Sequence, residues 1–268
     1  MKLIKPSYQI IEPTGYTIDD INKSIELVGR VSHKSEDRIT EDSAKTFVER
    51  MMKMKHLSTC EFGTIYLKID NSNDIVLVLN LNPYTKCKQV QDTCYVTTNL
   101  RVLIEHDAMW LLKYLCEPTE YHHKRYTVKF ILDRAILAEF TRHRKFSFMA
   151  ESSRYNNYSK DKFGNELTFI KPCWLTGGMK SNLTYLEWET TLQEIEKSYL
   201  MLTKNGWKAE EARSILPLSL KTELYMCGFA EDWEKFFELR TAPNAHSQAR
   251  ELVIPLKEEF IKNGYLNT

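Results

Sequence analysis

The sequence predicts an α+β chain, with strands mostly in its first half and helices mostly in its second. Three observations carry that prediction. Between Thr64 and Leu81, two short apolar runs, Ile65–Ile69 and Ile75–Leu79, flank the turn-forming segment Asn71-Ser72-Asn73-Asp74, the pattern of a hairpin with a longer loop. Tyr126–Leu132 alternates with the period of a half-buried strand. After residue 180 the pattern becomes mainly helical, punctuated by Pro217, Gly228 and Pro243, residue types that end or interrupt helices.

Taken in order, residues 17–29 and 41–55 read as helices. The second is predicted to start after Thr40, a good N-cap, with Glu41 and Asp42 in a first turn that favours acidic side chains. Ala44, Phe47, Val48 and Met51 then share one face, an apolar stripe that reads as core and not as a cofactor site. Residues 95–104 read as a further strand leading to a helix near 107–116. Asp133 stands where it can cap a helix running toward Arg142. Helices are expected over 182–204, 208–214, 218–227, 231–240 and 246–262. No repeat, low-complexity tract or linker interrupts the chain, so residues 1–268 are expected to form a single domain.

A chain of 268 residues can bury a substantial core, and 43% hydrophobic with 27% charged residues excludes bulk disorder. The formal net charge of +1 argues against a general nucleic-acid binder. No run approaches the roughly 18 apolar residues of a membrane-spanning helix, and Met1-Lys2-Leu3-Ile4-Lys5-Pro6 lacks an apolar signal core. No membrane partner and a cytoplasmic location are therefore expected. Cys60, Cys87, Cys94, Cys116, Cys173 and Cys227 are scattered, so reduced thiols are expected and not disulfides. No Cys or His pair has ligand spacing, and no metal is expected. Dinucleotide-binding, Walker, zinc-protease and Ser-hydrolase patterns are absent. Gly177-Gly178-Met179-Lys180-Ser181 has the wrong spacing for a phosphate loop and reads as a plain turn.

The densest chemistry lies in Arg142-His143-Arg144, seven further residues, and Ser152-Ser153-Arg154. Arginine presents a planar, permanent cation that grips phosphate bidentately, and serine hydroxyls add compact donors. A solvated basic face is the ordinary reading of such a run. Here Phe140, Phe146, Phe148 and Met149 crowd it and the whole chain is nearly neutral. The basicity is local and suits an anionic nucleotide.

Arg142-His143-Arg144-(x)7-Ser152 resembles the signature of the flavin-dependent thymidylate synthases. Ser147 falls at that family's internal serine, and Arg154-Tyr155 at its closing Arg-Tyr. His56-Leu57-Ser58-Thr59-Cys60-Glu61 resembles its His-x-Ser/Thr-x-x-Glu segment, and Ala212-Arg213-Ser214-Ile215-Leu216-Pro217 its Ala-Arg-x-x-Leu-Pro stretch. Phe236-Phe237-Glu238-Leu239-Arg240, followed by Ala245-His246-Ser247-Gln248, resembles its Phe-x-x-Leu-Arg block. These blocks stand in the family's order over residues 56–250. The sequence departs at Met149-Ala150, where the family has Asn-Glu, with Glu151 one place later. It departs again at Phe229-Ala230-Glu231, where the family uses Asn-Ala-Arg on flavin, and in an insertion around 70–125.

The resemblance implies an antiparallel sheet packed with helices, and a homotetramer with active sites between subunits. It implies FAD as cofactor, dUMP as substrate, and NADPH and methylenetetrahydrofolate as co-substrates. The one-carbon unit goes to uracil C5 and reduced flavin supplies the hydride that completes the methyl group; no enzyme cysteine attacks C6. Arg240 is then the catalytic arginine, holding uracil polarised. Glu139, Phe140, Thr141, Arg142, Glu151, Ser152, Ser153, Arg154, Arg213 and Arg240 are expected around dUMP. Ser58, Arg142, His143, Arg144 and Ala150 are expected at FAD, with His56 on the folate or flavin side. Cations near the isoalloxazine stabilise its reduced anion. Three consecutive residues cannot all point one way, so 142–144 are expected to serve two sites across an interface.

Pro172-Cys173-Trp174 partly resembles the Pro-Cys-His nucleophile segment of ordinary thymidylate synthases. A nucleophilic thiol needs a nearby base or helix terminus, and the local sequence supplies neither. Two other readings use the same cluster. One is a nucleotide- or single-stranded nucleic-acid-binding module in which Phe146, Phe148, Tyr155 and Tyr158 stack on bases. The other is an inactive family member that binds dUMP without FAD.

Overall fold

The structure, a computed structural model, describes residues 1–266 apart from 72, 75–77, 79–81, 83 and 176–181. Its strands are β1 (Lys2–Ile4), β2 (Ser7–Ile11), β3 (Thr64–Ile69), β4 (Lys86–Val90), β5 (Thr93–Asn99), β6 (Arg125–Asp133), β7 (Ser147–Ala150), β8 (Thr168–Ile170) and β9 (Lys221–Phe229). The helices that matter below are α1 (Ile18–Arg30), α2 (Ser43–Lys53), α3 (Leu100–Glu105), α4 (Arg134–Phe140), α5 (Asn182–Lys204), α6 (Ala209–Ala212), α7 (Ala230–Thr241) and α8 (Ser247–Lys262).

The fold is α+β around an antiparallel four-stranded sheet in the order β2-β6-β9-β7. The alternation of β6 places Val128, Phe130 and Leu132 on one face, where Leu224 and Met226 of β9 join them. Helices α7 and α8 cover that face with Trp233, Phe236, Phe237, Leu252, Leu256 and Phe260. The other face carries Tyr225 and Cys227 against Val28, Val31 and Phe62. Asp133 caps α4 as expected, accepting from the Ile136 N–H at 2.8 Å and from Gln248 Nε2 at 2.7 Å. The second bond ties α4 to α8.

Residues 218–227, expected to be helical, instead contribute to β9, between β6 and β7. Both sheet faces are covered there, so from Leu224 onward the strand shows the near-continuous apolar run of a doubly buried element. Periodicity cannot separate that run from a buried helix. Gly228 fits because a Cβ would meet the Phe146 ring at 2.5 Å.

Other departures are local. Helix α2 begins at Ser43 with Asp42 at the cap position, not after Thr40; the Ser43 hydroxyl accepts from the Thr40 N–H and donates to Glu26. Strand β5 stops at Asn99, whose side chain accepts from the Val102 N–H and starts α3, and a 3-10 turn at Met109–Tyr114 replaces the helix near 107–116. Strand β3 pairs with β5; of the run 75–79, expected to be its hairpin partner, only Val78 is described, and it is helical. The Gly177–Ser181 segment lies outside the described residues. Cys87 and Cys94 are joined in a disulfide, with Cα atoms 6.3 Å apart, against the expectation of six reduced thiols. Pairing β4 with β5 brings together two cysteines whose spacing matches no sequence motif. Strands β1 and β2, which no sequence pattern announced, pair with β8 and β6.

The region expected to be an insertion forms an antiparallel module, β3-β5-β4 with α3, whose Ile65, Leu67, Val96 and Leu103 pack on Ile21 and Ile25 of α1 and Val48 of α2. It leaves the rest of the fold after Phe62 and returns at Arg125. There Arg125 Nη1 donates to the Glu61 carbonyl and the Thr64 hydroxyl, both at 3.1 Å. These bonds root the module earlier than the expected boundary near 70.

Candidate active site

Helix α4 ends at Phe140, and the basic cluster follows in the turn before β7. Arg142 and Arg144 are exposed, while His143 between them is half-buried. Its Nε2 accepts from Arg240 Nε at 3.0 Å. Arg240, in the last turn of α7, also donates through Nη1 to Glu139 Oε2 and through Nη2 to the Glu139 carbonyl, both at 2.6 Å. The guanidinium is thereby fixed by a carboxylate, a carbonyl and an imidazole. The His143 ring meets Phe236 edge-on at 4.9 Å. Burial, then the charges of Arg240 and Arg142, push its pKa down to about 4. It is neutral at pH 7, and accepting at Nε2 places its proton on Nδ1. The Phe140 ring belongs to the core against Phe130 and Phe236, and the Thr141 hydroxyl donates to the Leu137 carbonyl.

A second cluster forms where the chain leaves β7. The Ser152 N–H and Asn156 Nδ2 both donate to the Ser32 carbonyl, at 3.1 and 3.0 Å, and Tyr155 stacks on His33 with centroids 4.3 Å apart. These contacts hold the loop that presents Ser152, Ser153 and Arg154. Arg154 Nε donates to Glu210 Oε2 at 2.9 Å, both side chains being largely exposed. The Arg154 hydrogen bond and charge hold the Glu210 carboxyl below its usual range, with a smaller pull from Arg213 in the turn after α6. Ser152 and Arg154 share this loop, the Arg154 N–H donating to the Ser152 hydroxyl at 3.3 Å, and Arg213 reaches them only through its charge on Glu210. Glu139, expected beside them, sits instead with Arg240. Among the described residues no hydrogen bond or ion pair joins the Arg240 cluster to the Arg154 cluster.

Glu151 has a different setting from its neighbours. Its side chain is 1% exposed; it accepts from Tyr158 at 3.0 Å and from Lys221 at 2.8 Å, and it lines a 610 Å³ cleft with Lys34 and Lys162. Lys221 also reaches Glu223, on which Lys34 and Lys129 converge. This network lies directly under the Ser152–Arg154 loop. No sequence signal announces it, because its members come from separate elements.

His56 and Ser58 are exposed in the loop after α2, and Ala150 pairs with Leu224 in the sheet. At Phe229-Ala230-Glu231 the module built on β3, β5 and β4 makes contact. Lys86 Nζ lies 4.3 Å from the Phe229 ring centroid and 2.8 Å from Glu231, and His123 reaches Glu231 at 2.6 Å. Glu231 is thus committed to partners within the chain. At the signature end Arg142 and Arg144 are exposed, which leaves two cations open to an anionic dinucleotide.

No helix among the described residues is long and apolar enough to cross a membrane. A probable flavin-dependent thymidylate synthase of Paramecium bursaria Chlorella virus 1 is 30% identical over 142 residues, 51% of this chain and 66% of that protein. The flavin-dependent thymidylate synthase of Synechocystis sp. is 30% identical over 146 residues, with 51% and 66% covered. That of Pyrococcus abyssi is 28% identical over 133 residues, with 50% and 52% covered. The chain spans about half to two thirds of the length of these curated relatives. The crystal structure of PolB from Streptomyces cacaoi, a UMP/dUMP methylase bound with 5-Br UMP, aligns over 98% of this chain and 92% of its own at a TM-score of 0.49 and 14% identity. The family model described as Thymidylate synthase complementing protein matches residues 82–263, and with more than half of its residues matched, the chain belongs to that family.

Proposed function

We propose that the protein is a flavin-dependent thymidylate synthase that converts dUMP to dTMP, with methylenetetrahydrofolate as one-carbon donor and NADPH-reduced FAD as hydride source. The observation that carries this reading is the division of the signature residues into two clusters, each built around an arginine held by a carboxylate, Arg240 with Glu139 and Arg154 with Glu210. In a homotetramer with sites between subunits, one protomer supplies Glu139, His143 and Arg240 while another supplies Ser152, Arg154 and Arg213. The reading places the protein in the cytoplasm as one domain.

Arg240 is then the catalytic residue. Its guanidinium, already fixed by Glu139 and His143, meets negative charge developing on the uracil without reorganising, which makes such electrostatic contributions large. His143, being neutral, adds no competing charge. Arg154 and Arg213 take the dUMP phosphate in place of Glu210. That exchange is easy, because an exposed ion pair such as Arg154–Glu210 is worth at most about 1 kcal/mol. Ser152 and Ser153 add polar contacts. Phe140, Thr141 and Glu151 act beside the nucleotide by positioning its neighbours, since their side chains are committed to the protein. FAD, when bound, supplies the hydride. Arg142 and Arg144 hold it, with Ser58 and Ala150 alongside and His56 toward the folate.

Purified protein should take up FAD, show flavin absorbance that NADPH bleaches and air restores, and form dTMP only with methylenetetrahydrofolate. Folded protein that takes up no flavin, and instead binds single-stranded oligonucleotides with steep salt dependence, refutes the reading.

A further inference from the structure

We propose that the pocket between α1, β2 and the start of β6 binds a small aromatic carboxylate, whose charge is met by Lys124 and Arg125 and whose ring lies against Val28 and Phe62. The pocket measures 260 Å³. That is near the lower end of small-molecule sites, roughly 300–1,000 Å³, and suits a single ring system, not a dinucleotide. Ile21, Val28 and Phe62 give it an apolar wall. Tyr16 and Tyr126 add ring surface, against which an aromatic ligand packs edge-to-face or offset. The proposal does not depend on the flavoprotein reading, because none of these residues belongs to a signature block.

Charge decides the ligand. Lys124 Nζ donates to the Thr119 carbonyl at 2.7 Å and stands 5.7 Å from the Tyr66 ring centroid. The Arg125 guanidinium donates to the Glu61 carbonyl and to the hydroxyls of Thr64 and Ser147, all neutral acceptors. Both side chains are half-buried, and among the described residues neither makes an ion pair. Burial pushes the Lys124 ammonium below its usual pKa range. An unpaired charge in such a place costs free energy that a bound anion recovers. Among the described residues the pocket's sole carboxylate is Glu12, exposed at the rim, which accepts from the Tyr265 hydroxyl and pairs with neither cation.

Tyr66 supplies an independent observation. Its side chain is 5% exposed and lines the pocket. The hydroxyl accepts from the Arg125 N–H at 3.5 Å, and among the described residues its own proton has no acceptor. Buried donors ordinarily have one. A carboxylate between Lys124 and Tyr66 provides it, with the attached ring directed to Val28 and Phe62. An inorganic anion would satisfy the same donors and leave the apolar wall bare, whereas a neutral ring would leave the charges unpaired.

The test titrates the full chain with benzoate, neutral benzamide and ringless acetate by ligand-observed NMR. Benzoate is expected to bind saturably in the millimolar range, and the other two about tenfold more weakly or worse. Lys124→Gln is expected to weaken benzoate about tenfold or more, the loss typical of a charge-assisted hydrogen bond, and to leave benzamide unchanged. Benzoate that does not saturate, benzamide or acetate that matches it, or an unchanged benzoate affinity in Lys124→Gln overturns the proposal. If Lys124→Gln does not fold, Tyr66→Phe decides. Removing a hydroxyl whose proton has no acceptor in the protein should weaken benzoate severalfold, and an unchanged affinity refutes the assignment.

Discussion

Replacing Glu223 by glutamine removes the carboxylate on which Lys34, Lys129 and Lys221 converge at 2.9, 2.8 and 2.6 Å. The side chain is 8% exposed. Burial alone would raise its pKa; the charge of Lys221, hydrogen bonds from Lys129 and Lys221, and the charge of Lys34 overcome that and bring it from 4.5 down to about 2. At roughly 1.4 kcal/mol for each pH unit between those values, the folded-state environment of Glu223 contributes about 3 kcal/mol. That agrees with the cost of breaking a buried pair from one side, about 3–5 kcal/mol. A carboxyl lowered on folding stabilises fully above its unfolded pKa and loses that contribution as pH falls through the folded one. Urea titrations followed by tryptophan fluorescence should therefore show Glu223→Gln less stable by about 3 kcal/mol at pH 7, with the gap closing between pH 4.5 and about 2. The Glu223 carbonyl accepts the Glu151 N–H at 2.9 Å and Lys221 holds the Glu151 carboxylate. The loop carrying Ser152 and Arg154 should loosen as well, raising the KM for dUMP more than it lowers kcat. A loss below about 1 kcal/mol, or a gap that does not change with pH, would refute the ionic account.

His143 should titrate with a midpoint near 4 in NMR spectra. Lowered on folding, it stabilises fully above pH 6.5 and loses that contribution as pH falls toward 4; a midpoint near 6.5 would contradict its contact with Arg240. Arg240→Ala should lower single-turnover dTMP formation by about a hundredfold to a thousandfold, whereas Cys173→Ala should retain it. Loss of the chemical step in folded Cys173→Ala protein would sink the mechanism. Gly228→Ala places a methyl 2.5 Å from the Phe146 ring, an overpacking that costs about 1–3 kcal/mol; calorimetry showing an unchanged Tm would mean that β9 and Phe146 do not pack as described.

Much of the local structure was legible. The alternation of Tyr126–Leu132 gave away β6, and Asp133 announced the start of α4, because alternation and capping are settled within a few residues. Residues 218–227 misled for the opposite reason: buried on both faces, β9 has no polar period to betray it. Within the site, spacing brought Arg142, His143, Arg144 and Ser152 forward, whereas Arg101, Arg125, Lys221 and Glu223 belong to no motif and went unnoticed.

The sequence by itself determined which charges and donors this protein has to work with, and the order in which its signature blocks run. Only the tertiary structure decided their company. It paired Arg240 with Glu139, 101 residues away, and not with the arginines expected to share a nucleotide with it. It brought Arg101 of α3 onto Glu61, and it gathered three lysines on Glu223. The physical reason is that an ion pair leaves no trace in the residues flanking either partner. Its geometry is set by which strands and helices lie side by side, and that adjacency follows from burying apolar faces across the whole chain.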